Sequence, residues 1–98
     1  MADAAIKLES SRLMVRHAAR LMDEKSPDAS LYSAMAKKHT TEECYALVDT
    51  ALQMHGGYGY LRDYPVERVL RDLRVHRILE GTSEIMQLIV SRNIFKEQ

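Results

Sequence analysis

The chain of 98 residues holds one cysteine, no tryptophan and two prolines. A lone Cys44 cannot close an internal disulfide, and without a Cys-x-x-Cys pair no thiolate metal site can be written. A reducing compartment fits this usage. Charge of either sign is not in excess: 14 basic and 14 acidic side chains cancel to a formal net charge of zero. That argues against a nucleic acid or an anionic membrane surface held by bulk charge. No run is apolar for long enough to cross a bilayer as a helix. The opening "MADAAIKLESSRL" is charged and periodic, so it reads as neither a signal nor a transit peptide. It reads instead as the inside of a helix, as a piece of a larger protein would begin. Strand-like alternation of useful length is also missing, which leaves an all-α chain. The apolar content of 46% and the charged content of 29% are those of a soluble globular protein. The length allows one small domain at most.

Four helices can be read from what is present. From Asp3 to about Glu24, Ala4, Leu8, Ser11, Val15, Ala18 and Met22 recur at steps of three and four and define one stripe. Arg12, Arg16 and Arg20 follow another face, with Glu9 beside Arg12, and read as a solvated face with ion pairs. "KSPDAS" is a stop and restart: Ser26 can cap, Pro27 suits a first helical position, and Asp28 suits the positive helix end. A second helix then runs to about His55, with Leu31, Met35, Tyr45, Val48, Ala51 and Leu52 inward. The pair Thr40-Thr41 is its weakest point. "HGGYGYLRDYP" ends it, and Pro65 opens a short amphipathic helix whose apolar side is Val66, Val69, Leu70 and Leu73. Thr82 or Ser83 caps a last helix that is apolar over more than half its circumference. Such a helix is either central to a bundle or packed on another chain.

Few side chains suggest chemistry. "GGYGY" lacks the Lys-Ser/Thr of a phosphate-binding loop and follows a helix, not a strand, so a helix end is the leading reading over a phosphate cradle. Two glycines followed by Tyr58 and Tyr60 are still more than a cap requires. His17, His39, His55 and His76 are too scattered for a metal motif, and no metal is expected. Arg68, Arg71, Arg74 and Arg77 mix with Glu67 and Asp72 as a salt-bridged face. Glu80 differs in kind. In "ILEGTSEIM" it stands between Leu79 and Gly81, just ahead of a helix start. The helix dipole favours its carboxylate and apolar neighbours disfavour it, and such opposed influences can poise a carboxylate to take a proton. By residues alone, an exposed linker glutamate still outweighs a base.

"QMHGGYGY" and "EGTSEI", at this separation, change that balance. The stretch "ALQMHGGYGYLRDYPVERVLRDLRVHRILEGTSEIMQLIVSRNI" resembles the C-terminal helical domain of the flavin-dependent acyl-CoA dehydrogenases, and most of all their isobutyryl-CoA branch. The resemblance implies an up-and-down four-helix bundle spanning residues 1–98, without the N-terminal helical and middle β-domains of the family. It implies a short or branched acyl-CoA substrate, noncovalent FAD, and α,β-dehydrogenation to a 2-enoyl-CoA. Glu80 would be the catalytic base, with its backbone N–H bonding the thioester oxygen, and Gly81 would clear the thioester. Thr82 and Glu84 would contact the FAD diphosphate and ribose. Gln53, Gly56 and Gly57 would reach the adenosine of FAD on a neighbouring subunit. Partners implied are an electron-transferring flavoprotein and further copies in a homodimer or homotetramer, in a mitochondrial matrix or bacterial cytoplasm. With two domains missing, the alternative is a non-catalytic helical module that associates with itself.

Overall fold

A computed structural model describes residues 2–61 and 65–96. Its elements are α1 (Ala2–Asp23), α2 (Ala29–His55), a 3-10 segment (Gly56–Tyr60), α3 (Val66–Val75) and α4 (Ser83–Lys96), with no strand among the described residues. The all-α expectation holds. Arg62, Asp63 and Tyr64 of the quoted glycine corner lie outside the described residues.

The molecule is organised on α2. This helix has 27 residues, which makes it about 40 Å long. Helices α1, α3 and α4 and the 3-10 segment all pack against it. None of the inward residues expected on it is exposed, and Leu31 and Leu52 are buried. Thr40-Thr41 does not break it. The Thr41 hydroxyl donates to the Lys37 carbonyl at 2.7 Å, satisfying itself within the helix. Gly56 ends the helix with φ of 64° and donates its N–H to the Gln53 carbonyl, as the sequence suggests.

The outer helices are less covered. Among the described residues α1 and α4 have no Cα atoms within 8 Å of each other, so the bundle is open along one side. The buried apolar core is thin: Ala18, Leu31, Ala34, Ala36, Leu52 and Met86. Of the α1 stripe, Ser11 and Ala18 are buried, but Leu8, Val15 and Met22 are exposed. On α4, Met86 is buried while Ile85, Leu88, Ile94 and Phe95 face outward. The radius of gyration is 15.7 Å, against about 13 Å for a compact domain of this length. The accessible surface is 7280 Å² for 11.2 kDa, where a compact monomer shows roughly 5,700 Å². The excess, about 1,600 Å², is the size of a whole protein–protein interface.

Two boundaries, the start of α2 and the end of α3, differ from the sequence reading, while α1 ends where expected. α2 starts at Ala29, not Pro27, because Ser26 orders a turn instead of a cap: its hydroxyl accepts from the Asp28 N–H at 3.2 Å and its carbonyl from the Ala29 N–H at 3.2 Å. α1 ends through Lys25 at φ of 53°, a left-handed end made without glycine. α3 stops at Val75 and the chain runs on as a turn to Glu80.

Candidate functional site

The turn between α3 and α4 holds the "EGT" residues, and several contacts fix it. The Ile78 and Leu79 N–H groups both donate to the Val75 carbonyl at 2.9 Å, closing the end of α3. The Ser83 N–H donates across the turn to the Arg77 carbonyl at 3.1 Å. Glu80 then has φ of 55° and Gly81 of 108°. For a side chain with a Cβ the left-handed conformation costs about 1–2 kcal/mol, so surrounding contacts must hold it there. At Gly81 a Cβ would come within 2.7 Å of the Met86 methyl. The backbone angle calls for glycine at this position, while the Met86 methyl is the end of a flexible side chain that can turn aside. Thr82 caps α4 by accepting the Ile85 N–H at 3.2 Å, which decides between the two expected caps.

Glu80 is exposed, and its backbone N–H makes no hydrogen bond among the described residues. Ile78 and Leu79 beside it are about half exposed, so the apolar entrance expected from sequence is open on this chain alone. Two cationic side chains tie the turn to the rest of the fold. Lys37 of α2 donates to the carbonyls of His76, at 3.2 Å, and Gly81. Arg77 lies over the Tyr45 ring, 5.8 Å from its centre, within range of a cation–π attraction. The spacing predicts Arg77 as part of a salt-bridged series. Of that series Arg71 does pair with Glu67, but Arg77 points into the fold instead.

A hollow of about 90 Å³ sits at the start of α4, lined by Arg74, Arg77, Ile78, Thr82, Ser83 and Glu84. Two guanidinium groups beside a helix N-terminus suit a phosphate-sized anion. The buried Arg77 Nε has no hydrogen-bond partner among the described residues. Behind the hollow, the hydrogen bond from Lys38 at 2.9 Å holds the Glu42 carboxyl below the usual carboxylate range, against the effect of burial. The Lys38 charge, the Ser83 hydroxyl and Arg77 push the same way.

The second group of expected residues is elsewhere. Gln53, Gly56 and Gly57 are exposed at the far end of α2. Measured along the helix axis, Gln53 is about 24 Å from Lys37. Among the described residues nothing lies within 4 Å of a Cβ built on Gly56 or Gly57, so a flat group can approach bare backbone there. Tyr58 and Tyr60 are exposed beside them. The fold therefore brings Glu80, Gly81, Thr82 and Glu84 together and keeps Gln53, Gly56 and Gly57 apart from them. Two further residues matter that the sequence does not single out. A Cβ on buried Gly59 would come within 2.8 Å of the Leu52 backbone carbonyl, so Gly59 lets the corner close onto α2. Lys37 is the other.

No group of three or more metal-ligating side chains gathers among the described residues. A hollow of about 620 Å³ is the open groove over α2 between α1 and α4, lined by Met14, Met35, His39 and Val90 among others. None of the motif residues line it, and its wide opening fits an uncovered packing face, not a reaction chamber. Burial, with the Glu43 charge beside it, pushes the Cys44 thiol up, which keeps it protonated and a poor nucleophile.

In this all-α chain an exposed glutamate with positive φ stands directly ahead of the capped start of α4. The chain belongs to the acyl-CoA dehydrogenase C-terminal domain family, whose model matches residues 1–95. It is 58% identical over 97 residues to the mitochondrial isobutyryl-CoA dehydrogenase of Dictyostelium discoideum, covering 99% of this chain and 23% of that protein. The mitochondrial isobutyryl-CoA dehydrogenase of Bos taurus is 50% identical over the same length, again over 99% and 23%. A solved structure from work on the electron transferring flavoprotein of Acidaminococcus fermentans superposes with a TM-score of 0.92 at 40% identity, covering 98% of this chain and 25% of that one. The chain thus spans about a quarter of the length of the relatives it matches.

Proposed function

We propose that the chain is the C-terminal part of an FAD-dependent acyl-CoA dehydrogenase that acts on a short or branched acyl-CoA. The observation that carries this reading is Glu80 itself: a carboxylate held left-handed and exposed, with a spare backbone N–H, directly ahead of α4. The Glu80 carboxylate takes the proton from the carbon alpha to the thioester carbonyl. Its N–H hydrogen-bonds the thioester oxygen, where negative charge develops as that proton leaves. Gly81 leaves the thioester room.

The residues present fit FAD. The Arg74–Arg77 hollow and the start of α4 suit a diphosphate, with Thr82 and Glu84 at its edge. Gln53 and the bare backbone of Gly56 and Gly57 suit an adenosine, and their distance from Glu80 suits a cofactor held on a neighbouring copy. When bound, FAD supplies the acceptor for the hydride from the beta carbon, and the product is a 2-enoyl-CoA. A homodimer or homotetramer follows from that shared arrangement. An electron-transferring flavoprotein as the electron acceptor is supported by the Acidaminococcus fermentans structure. No helix among the described residues is long and apolar enough to cross a membrane. A mitochondrial matrix or bacterial cytoplasm is the setting this reading assigns.

The test is spectroscopic. Isobutyryl-CoA added to the purified flavin-loaded protein should bleach the oxidised flavin band without added base. Bound flavin that stays oxidised with every short or branched acyl-CoA would contradict the reading.

A further inference from the structure

Lys37 stands 44 residues before Gly81 and belongs to neither motif, yet it makes the side-chain hydrogen bonds from α2 to the Glu80 turn. Its side chain is half-buried and spends two of its three donors on that turn. The two carbonyls it holds, those of His76 and Gly81, bracket residues 77 to 80. One cation therefore pins both ends of the loop that carries Glu80. Inside the loop Glu80 has a conformation that its own backbone disfavours, and Gly81 follows with φ of 108°. The remaining ties act elsewhere. The Ser83 N–H bonds the Arg77 carbonyl, Arg77 stacks on Tyr45, and Thr82 caps α4. None of these restrains the peptide that joins Glu80 to Gly81 from the α2 side. The Gly81 carbonyl belongs to the residue directly after the proposed base. That carbonyl lies in the Gly81–Thr82 peptide, so its bond to Lys37, with the one to His76 on the other side, narrows the backbone paths open to Glu80 between them.

We infer that Lys37 is a positioning residue for proton abstraction, holding the Glu80–Gly81 turn so that the carboxylate and the backbone N–H address the same thioester. This rests on the reading of Glu80 as base. A lysine at the carboxyl end of α3 also complements that helix dipole, so a purely structural role has to be separated from a positioning one. Misplacing a reacting group by about 1 Å costs on the order of 100-fold in rate. Loss of the clamp is therefore expected to act on the chemical step and not on substrate binding.

The experiment compares Lys37→Met, Lys37→Arg and Glu80→Gln in the flavin-loaded holoenzyme that carries this chain. Flavin reduction is followed by stopped flow with isobutyryl-CoA and with its alpha-deuterated form. Amide hydrogen exchange is read over residues 76–83. The expected result for Lys37→Met is a reduction slower by roughly 10- to 100-fold, a larger alpha-deuterium effect, KM within about threefold, and faster exchange across the turn with flavin content unchanged. Lys37→Arg, which keeps charge and N–H donors, should recover at least part of the rate. An unchanged reduction rate in Lys37→Met, with or without faster exchange, would overturn the inference. So would a rate that falls only in step with lost flavin or a general loss of exchange protection. If Glu80→Gln keeps turnover, the base assignment fails and takes this role with it. The exchange data then show separately whether Lys37 holds the turn at all.

Discussion

The middle and the C-terminal end of α2 stand against the two motifs, and these two regions are built by opposite means. At the Glu80 end the chain is held by polar ties: Lys37 on two carbonyls, Ser83 across the turn, Thr82 on the first turn of α4, and Arg77 over Tyr45. At the glycine end the chain is held by fit, with Gly59 against the Leu52 carbonyl and Gly56 in a left-handed end. The first construction aims a side chain and leaves a backbone donor open. The second removes side chains and leaves a bare surface. That contrast matches what the proposed function asks of each region: directed proton transfer at one, approach of a flat ring system at the other.

The glycine end should be the more sensitive to added volume. Gly59→Ala pushes a methyl group to within 2.8 Å of a backbone oxygen that cannot turn aside, and a loss of about 1–3 kcal/mol is expected from overpacking. Gly57 has open space around it, so Gly57→Ala should stay within about 0.5 kcal/mol. Denaturant unfolding of the two variants checks this, and equal effects would mean that the corner is not held by fit.

At the Glu80 end, Thr82→Ala removes the cap on Ile85 and should cost about 1 kcal/mol, with Thr82→Ser nearly neutral. Thermal melting reads both. The smallest effect concerns Glu42, whose lowered ionisation makes it a source of acid sensitivity. A carboxyl held below its ordinary value stabilises the fold above that value, and the contribution is lost as pH falls through the folded-state value. Glu42→Gln should therefore lower the melting temperature above about pH 5 and flatten its fall below that pH, so that the two proteins converge in acid. A parallel shift at all pH values would show that Glu42 acts by packing.

Much of this was legible in the residues. The unbroken pattern from Leu31 to Leu52 and the glycines after His55 mark α2 and its end, because a helix period and a breaker are local signals. The end of α3 was not legible. "VHRIL" contains no breaker, and the turn there is imposed by contacts from α2 and α4, not by propensity. The left-handed state of Glu80 was invisible for the same reason. Lys37 looks like any solvated lysine on a helix, and only the fold shows that it reaches residues 39 and 44 positions away. Arg77 sits at the same spacing as Arg71 and Arg74, but Tyr45 lies opposite it alone. The exposed Leu8, Val15 and Met22 show the converse limit. A correct apolar stripe marks a face suited to burial, and on this chain alone it stays uncovered.

The central claim is that the Glu80 carboxylate is the proton acceptor. The most direct measurement is flavin reduction by isobutyryl-CoA in the Glu80→Gln holoenzyme, with FAD content and acyl-CoA binding measured on the same preparation. Reduction slowed by at least about 1,000-fold is expected, since general-base contributions reach roughly 100- to 10,000-fold, with cofactor and ligand still bound. Reduction at a rate close to that of the unsubstituted enzyme would contradict it.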